Sequence, residues 1–179
     1  MTSLYASLLG ASWSSLAPLV QRIHAGAGTA HGIFAVRRGT GVLARILGTL
    51  LGMPPAAEAT PILLAVEHLP AGERWTRTFG DRPLSTVQWS SGGFLVEGLG
   101  LVQCWFRLRA EAGALIFDQV RATFGFRRLS LPLPRLFAPR IEGRAEPAGD
   151  RVHVDVRIHA PVVGLLVSYT GAVTSEERP

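Results

Sequence analysis

The sequence contains no lysine. Its 18 basic residues are all arginine, against 13 acidic residues, which leaves a formal net charge of +5. Without lysine the chain has neither a Schiff-base amine nor the lysine of a phosphate-binding P-loop. Cysteine is nearly missing as well. The single Cys104 excludes an internal disulfide framework and any zinc site built on cysteine. Charged residues make up 17% of the chain and hydrophobic ones 47%, a balance that excludes a disordered polypeptide. No apolar run approaches the roughly 18 residues of a membrane span. The first 21 residues carry no charged side chain. No arginine precedes their apolar stretch, however, and Ser3, Ser7, Ser12, Ser14 and Ser15 interrupt it, so a signal peptide is not indicated in spite of the small residues Ala25-Gly26-Ala27. These absences describe a cytoplasmic globular protein without a transmembrane segment.

The length, 179 residues, fits a single domain over 1–179 that is able to bury its own core. The pI is near 10.9 because arginine stays charged far above neutrality. The excess is not concentrated. Residues 1–90 hold 7 Arg against 4 acids and residues 91–179 hold 11 against 9, and only Arg37-Arg38 and Arg127-Arg128 are adjacent. A nucleic-acid binder would show a basic patch or stripe, so nucleic acid is not the expected partner.

Two helical regions are expected near the N-terminus. In the first, about residues 3–24, Tyr5, Leu8, Leu9, Ser12 and Leu16 recur at helical spacing, and Ser15 reads as the cap of a second short helix with Pro18 in its first turn. A strand over 32–38 places Phe34 and Val36 on one face. A helix over 42–51 follows, with Leu43, Ile46, Leu47 and Leu50 as its stripe, and Gly52 and Pro54-Pro55 stop it. From residue 60 to 173 period two dominates, with about ten strands divided by glycine-rich turns. Residues 130–140, with three prolines, read as an extended crossing segment. No strand–helix alternation supports a parallel sheet. The fold class is α+β, mainly β: a strongly curved antiparallel sheet or β-barrel, closed to remove its edges.

Several segments resemble a known family. They are Tyr5-x-x-Leu8-Leu9-Gly10-x-x-Trp13, Gly32-x-Phe34-x-Val36-x-Arg38-Gly39, Glu73-Arg74-Trp75-x-Arg77-x-Phe79-Gly80, Leu131-Pro132-Leu133-Pro134 and Leu165-Leu166-Val167-x-Tyr169-x-Gly171. Together they resemble the bacterial domain of unknown function 4166 over nearly the whole chain. Members occur alone or behind a domain similar to short-chain or saccharopine dehydrogenases. The resemblance implies a module working beside small-molecule metabolism, here as a stand-alone member, and it carries no catalytic residue with it.

Conventional catalytic motifs do not stand out. Gly26-x-Gly28 and Gly39-x-Gly41 lack the spacing of a dinucleotide fingerprint. Ser90-Ser91-Gly92-Gly93 reads as a turn, and Cys104 as a buried, inert thiol beside Val102, Phe106 and Leu108. His153, Asp155 and His159 share a strand face, but alternate side chains lie roughly 7 Å apart, too far to share one zinc ion. Their face is expected to meet solvent, and His24 and His31 to be surface groups. No metal and no cofactor is expected.

The informative feature is a set of strand faces that mix aromatic, apolar and charged residues. Trp75, Arg77 and Phe79 share one, and Gln103, Trp105, Arg107 and Arg109 another. Trp89, Phe94, Glu97, Asp118 and Tyr169 lie on further strands. A ligand pocket needs this mixture of apolar walls and a few placed polar groups. The expected lining is Trp75, Phe79, Trp89, Phe94, Trp105, Arg107, Asp118 and Tyr169. A charge in such a wall must be paired, so Glu97 is expected opposite Arg77 or Arg107, with Glu97 and Arg77 as the candidate catalytic groups. The alternative, with tryptophans outside under arginine stems, stays open. Three functions follow. The first is binding of an apolar or polycyclic small molecule. The second is a cofactor-independent cyclase or isomerase in which Glu97 moves a proton, and the third is an interaction domain for a dehydrogenase-like protein.

Overall fold

The computed structural model describes residues 3–126, 129–134, 136 and 138–176. The Arg127-Arg128 pair, and Arg135 and Phe137 of the expected crossing segment, lie outside the described residues.

Alternating inward and outward side chains build eleven strands. They are β1 (Gly28–Arg38), β2 (Ala57–Leu69), β3 (Gly72–Phe79), β4 (Arg82–Ser91), β5 (Phe94–Leu99), β6 (Val102–Glu111), β7 (Ala114–Phe126), β8 (Leu129–Pro132), β9 (Arg140–Ala148), β10 (Arg151–Ala160) and β11 (Gly164–Ser175). Tight turns join most neighbours. Between β4 and β5 the loop is Gly92-Gly93, with φ of 57° and 79°, and a two-residue hairpin of this kind requires both residues in the left-handed region. The order β6-β5-β4-β3-β2-β1-β11-β10-β9-β7 closes on itself through β6–β7, so ten antiparallel strands form a barrel and β8 extends β7 outside the ring. The expected mainly β, closed architecture is therefore the one observed.

The closing seam is short. β7 meets β9 only over Leu115–Asp118, after which β7 pairs with β8 instead. Where the ladder ends, the Gln119 side chain takes its place. Its Nε2 donates to the Pro139 carbonyl at 2.7 Å and its Oε1 accepts from the Ile141 N–H at 2.6 Å.

The N-terminal helices plug one end. Helix α1 (Leu4–Leu9) is capped by Ser3, whose Oγ accepts from the Ala6 N–H, and continues as a 3₁₀ turn over Gly10–Ser15. Helix α2 (Pro18–His24) starts at Pro18 after Ala17, and Ser15 does not cap it as expected. The Gln21 side chain ties this entry down instead, donating to the carbonyls of Trp13 and Leu16. Leu16 bridges to Gly113 in the β6–β7 hairpin, and the Ala17 N–H donates to the Gly113 carbonyl. Tyr5, Val20 and Ile23 enter the core.

Helix α3 (Val42–Leu50) lies against β1 and β11 toward the opposite end, between the last residue of β1 and the start of β2. Of its expected apolar stripe only Leu47 packs against the core. Ala44 and Gly48 are the buried positions, while Leu43 is 60% exposed and Val42, Ile46 and Leu50 are exposed beside it. Small residues let the helix lie close on the barrel, where Arg38 Nη1 donates to the carbonyls of Met53 and Pro54, and Nη2 to that of Arg45. Among the described residues no helix is long and apolar enough to cross a membrane.

The β1–β11 seam carries a sharp steric constraint. Gly171 lies opposite Phe34, and a Cβ there would stand 2.2 Å from the Ile33 carbonyl oxygen and 2.8 Å from the Phe34 ring. Gly171→Ala is expected to cost about 1–3 kcal/mol by overpacking, lowering Tm by roughly 3–10 °C. Gly28→Ala, with open space around the added carbon, is expected within about 0.5 kcal/mol of the parent. Thermal denaturation of both checks this, and equal Tm values would contradict it.

Candidate functional site

The closed sheet surrounds a cavity of about 170 Å³ that reaches from the plug residues Tyr5 and His24 to Leu51 and Met53 beyond α3. Its walls are mostly apolar, with Leu64, Phe106, Val154 and Val156 among them. The apolar face of β10 thus turns inward as expected. The opposite face carries His153, whose Nε2 lies 3.2 Å from Thr170 Oγ1, and Asp155, paired with Arg157. Cys104 lines the cavity as a buried thiol, and burial pushes its pKa up to about 12.

The charged centre of the cavity is the pair expected from the sequence. Arg77 Nη2 lies 3.2 Å from Glu97 Oε1, and the two side chains are 16% and 17% exposed. Strand register brings them together through Thr86, which lies across from Trp75 on β3. Thr86 Oγ1 donates to Glu97 Oε1 at 2.6 Å and accepts from Arg77 Nη1 at 3.0 Å. Both bonds to Glu97 fall on Oε1, so its Oε2 has no hydrogen-bond partner among the described residues. Burial opposes the Arg77 charge, and Glu97 more than offsets it, holding the guanidinium above its ordinary value. The guanidinium also stands 5.6 Å from the centre of the Trp75 ring.

Tyr169 lines the cavity close to this pair, and burial raises its pKa. Phe79 packs behind Tyr169 at 5.3 Å between ring centres and belongs to the core.

Phe79 therefore does not line the cavity as expected, and five more expected lining residues lie elsewhere. Trp89, Phe94, Trp105, Arg107 and Asp118 are on outward faces, because Gln88, Leu95, Cys104, Phe106 and Phe117 next to them in sequence take the inward positions. Trp89 and Trp105 flank the fully buried Val96 on neighbouring strands, and Arg121 lies 3.8 Å over the Trp105 ring. For Trp105 this is the alternative of an indole covered by arginine. Arg107 is exposed, and Asp118 pairs with Arg109 rather than with a guest.

The plugged end holds groups that sequence reasoning missed. His24, expected at the surface, is 5% exposed and lines the cavity. Its ring lies 4.7 Å from Tyr5, 5.5 Å from Trp75 and 6.4 Å from Phe117, centre to centre. Burial lowers its pKa to about 4. Tyr5 donates to Gln88 Oε1 at 2.7 Å, and burial raises its pKa well above the usual tyrosine range. Glu73, 1% exposed, accepts from Trp75 Nε1 at 3.0 Å through Oε2, and its Oε1 is buried without a partner. Period two on β3, which sets Glu73 on the face of Trp75 and Arg77, is the signal that could have found it. His24 left no such signal, since its burial depends on where the plug docks. His31, by contrast, is exposed near Glu176, as expected. Among the described residues no three His, Cys, Asp or Glu side chains converge as a metal site would need.

Two tests follow. Removing one member of a buried pair leaves the other uncompensated, so Arg77→Met is expected to cost about 2–4 kcal/mol, and Arg77→Met with Glu97→Gln to recover at least half of that. Urea denaturation checks the cycle, and additive losses would contradict the pairing. For His24, the native state favours the neutral ring. Its stabilisation is complete above pH 6.5 and is lost as pH falls toward about 4, because the unfolded chain binds a proton there that the native chain does not. Between pH 7.5 and pH 4 the parent is expected to lose about 2–3 kcal/mol more than His24→Phe. Identical pH profiles would contradict the burial of a neutral His24.

No functionally curated protein matches the sequence. Among solved structures, the fold is similar to that of a protein of unknown function of the DUF3598 family from Nostoc punctiforme PCC 73102, with a TM-score of 0.51 and 14% identity. The match covers 91% of this chain and 51% of that one, so the chain spans about half the length of that structure. At this identity the likeness concerns the fold alone. The family described as domain of unknown function DUF4166 matches residues 16–173. The chain, whose motifs on β1, β3 and β11 supply Phe34, Trp75, Arg77 and Tyr169 to the barrel interior, belongs to the DUF4166 family.

Proposed function

We propose that this protein binds a small, mainly apolar molecule inside the barrel. The observation that carries the reading is an apolar cavity of about 170 Å³ holding a neutralised ion pair, Arg77–Glu97, at its wall. Packed interiors seldom leave such space, and an apolar void of roughly 150 Å³ holds a benzene-sized guest. The volume is below the roughly 300–1,000 Å³ usual for drug-sized ligands. A single ring or a slender chain therefore suits it better than a polycyclic guest, for which the walls would have to move.

A second reading, a cofactor-independent cyclase or isomerase, draws on Glu97 Oε2, which no side chain or backbone group engages among the described residues and which is free to take a proton from a guest. A third, docking on a dehydrogenase-like protein, draws on the exposed apolar side of α3.

Toluene is the probe that tests the first reading. It is expected to bind with one-to-one stoichiometry and to raise Tm by mass action. Val156→Phe, which fills the cavity, is expected to weaken binding at least about tenfold (~1.4 kcal/mol) while remaining folded. Absence of toluene binding at saturation would overturn the proposal. In Glu97→Gln, retained affinity for a guest that the parent chemically converts, with conversion lost, would favour the second reading. Capture of a dehydrogenase-like protein without any small guest, lost in Leu43→Glu, would favour the third.

A further inference from the structure

The plugged end of the cavity holds a polar atom with a fixed role and no partner. His24 Nδ1 lies 2.8 Å from the Val20 carbonyl oxygen, four residues earlier in the same helix. A carbonyl only accepts, so Nδ1 must carry the proton, and in the neutral ring Nε2 is then a bare acceptor. Among the described residues nothing donates to Nε2. Tyr5, Trp75 and Phe117 surround the ring and restrict its rotation. The nearby Tyr5 hydroxyl is already committed to Gln88 Oε1, so it cannot satisfy this lone pair. The imidazole is also held neutral, by burial and by the Arg77 charge, which both oppose a second proton. An acceptor that faces the cavity without a partner in the protein gains a hydrogen bond from a guest that carries a donor.

We infer that the guest is uncharged and carries a hydrogen-bond donor, a hydroxyl or an N–H, which it presents to Nε2 of His24 at the plugged end while its apolar body lies along the barrel. This rests on the reading of the cavity as a binding site and narrows it to a chemical class. A phenol or a simple alcohol belongs to that class. A pure hydrocarbon leaves Nε2 unpaired, and a carboxylate brings a second acceptor against it.

Phenol and toluene separate the two levels of the claim, because they are nearly equal in size and only phenol carries a donor. The parent protein is expected to bind both, with phenol at least as tight. Phenol has more to lose on leaving water, so without an acceptor the preference runs toward toluene. His24→Phe is accordingly expected to lower the phenol-to-toluene affinity ratio by about tenfold, as loss of one hydrogen bond implies. Toluene binding by the variant also reports that it is folded. A phenol-to-toluene ratio unchanged by His24→Phe would overturn the inference and leave the binding reading standing. Failure of both guests to bind the parent would overturn both. An independent readout needs no variant: nitrogen NMR of the unliganded parent is expected to show a proton on Nδ1 and none on Nε2, with the shift of Nε2 moving when phenol, but not toluene, is added. A proton on Nε2 in the free protein would overturn the inference.

Discussion

Closure of the sheet is the constraint on which everything else in this protein depends. Ten strands give up their edges only because β7 turns from β6 to β9 across a seam bounded by Leu115–Ala145 and Asp118–Glu142. The seam is held at one side by the plug, through Leu16, Ala17 and Gly113, and at the other by the side chain of Gln119. Once the ring is shut, the inner face of every strand is removed from water together. Polar groups on that face then need partners inside the barrel. Arg77, Thr86 and Glu97 provide one set and Tyr5 and Gln88 another. The unpaired groups that line the cavity, Glu97 Oε2 and His24 Nε2, are the places where the interior can still gain by taking in something else.

The fold was largely legible from period two. The strand face Val152–Val154–Val156–Ile158 could be oriented because it is uniformly apolar, and it turns inward. The same logic failed where both faces of a strand carry large residues. On β6, Gln103, Trp105 and Arg107 alternate with Cys104, Phe106 and Leu108. The second set is the inward one, which only the pairing with β5 and β7 decides. Of the tryptophans on the strands, Trp75 therefore lies inside, and Trp89 and Trp105 lie outside. The Arg77–Glu97 pair was legible for a different reason, since electrostatics demands a partner for any charge on a buried face. Helices hid more. An apolar stripe on α3 suggests a buried face, yet the helix seats its smallest residues, Ala44 and Gly48, and leaves Val42, Leu43, Ile46 and Leu50 outside. His24 was invisible because nothing local distinguishes a histidine at a helix end from one pressed into a barrel.

The arrangement also explains why the conserved-looking chemistry of common enzymes is missing from the motifs. Polar groups of the interior come from β3 (Glu73, Arg77), β4 (Thr86, Gln88), β5 (Glu97) and β11 (Tyr169) and from the plug (Tyr5, His24), at alternate positions along each strand. Such a site has no contiguous signature. It exists only when register places Thr86 between Arg77 and Glu97, and when the N-terminal helices bring Tyr5 and His24 over Trp75. A barrel of this kind presents a mostly apolar space with a neutral acceptor at one end and a neutralised pair on its wall, which suits recognition of a compact molecule by shape and a single polar contact.

The central claim is that the closed barrel is hollow. Crystals of the protein pressurised with xenon test it most directly, because xenon enters an apolar void without needing a hydrogen bond. The account predicts ordered xenon inside the ring, among Trp75, Phe106, Phe117 and Val156. A barrel whose interior takes up no xenon, with side chains filling that space, would contradict it.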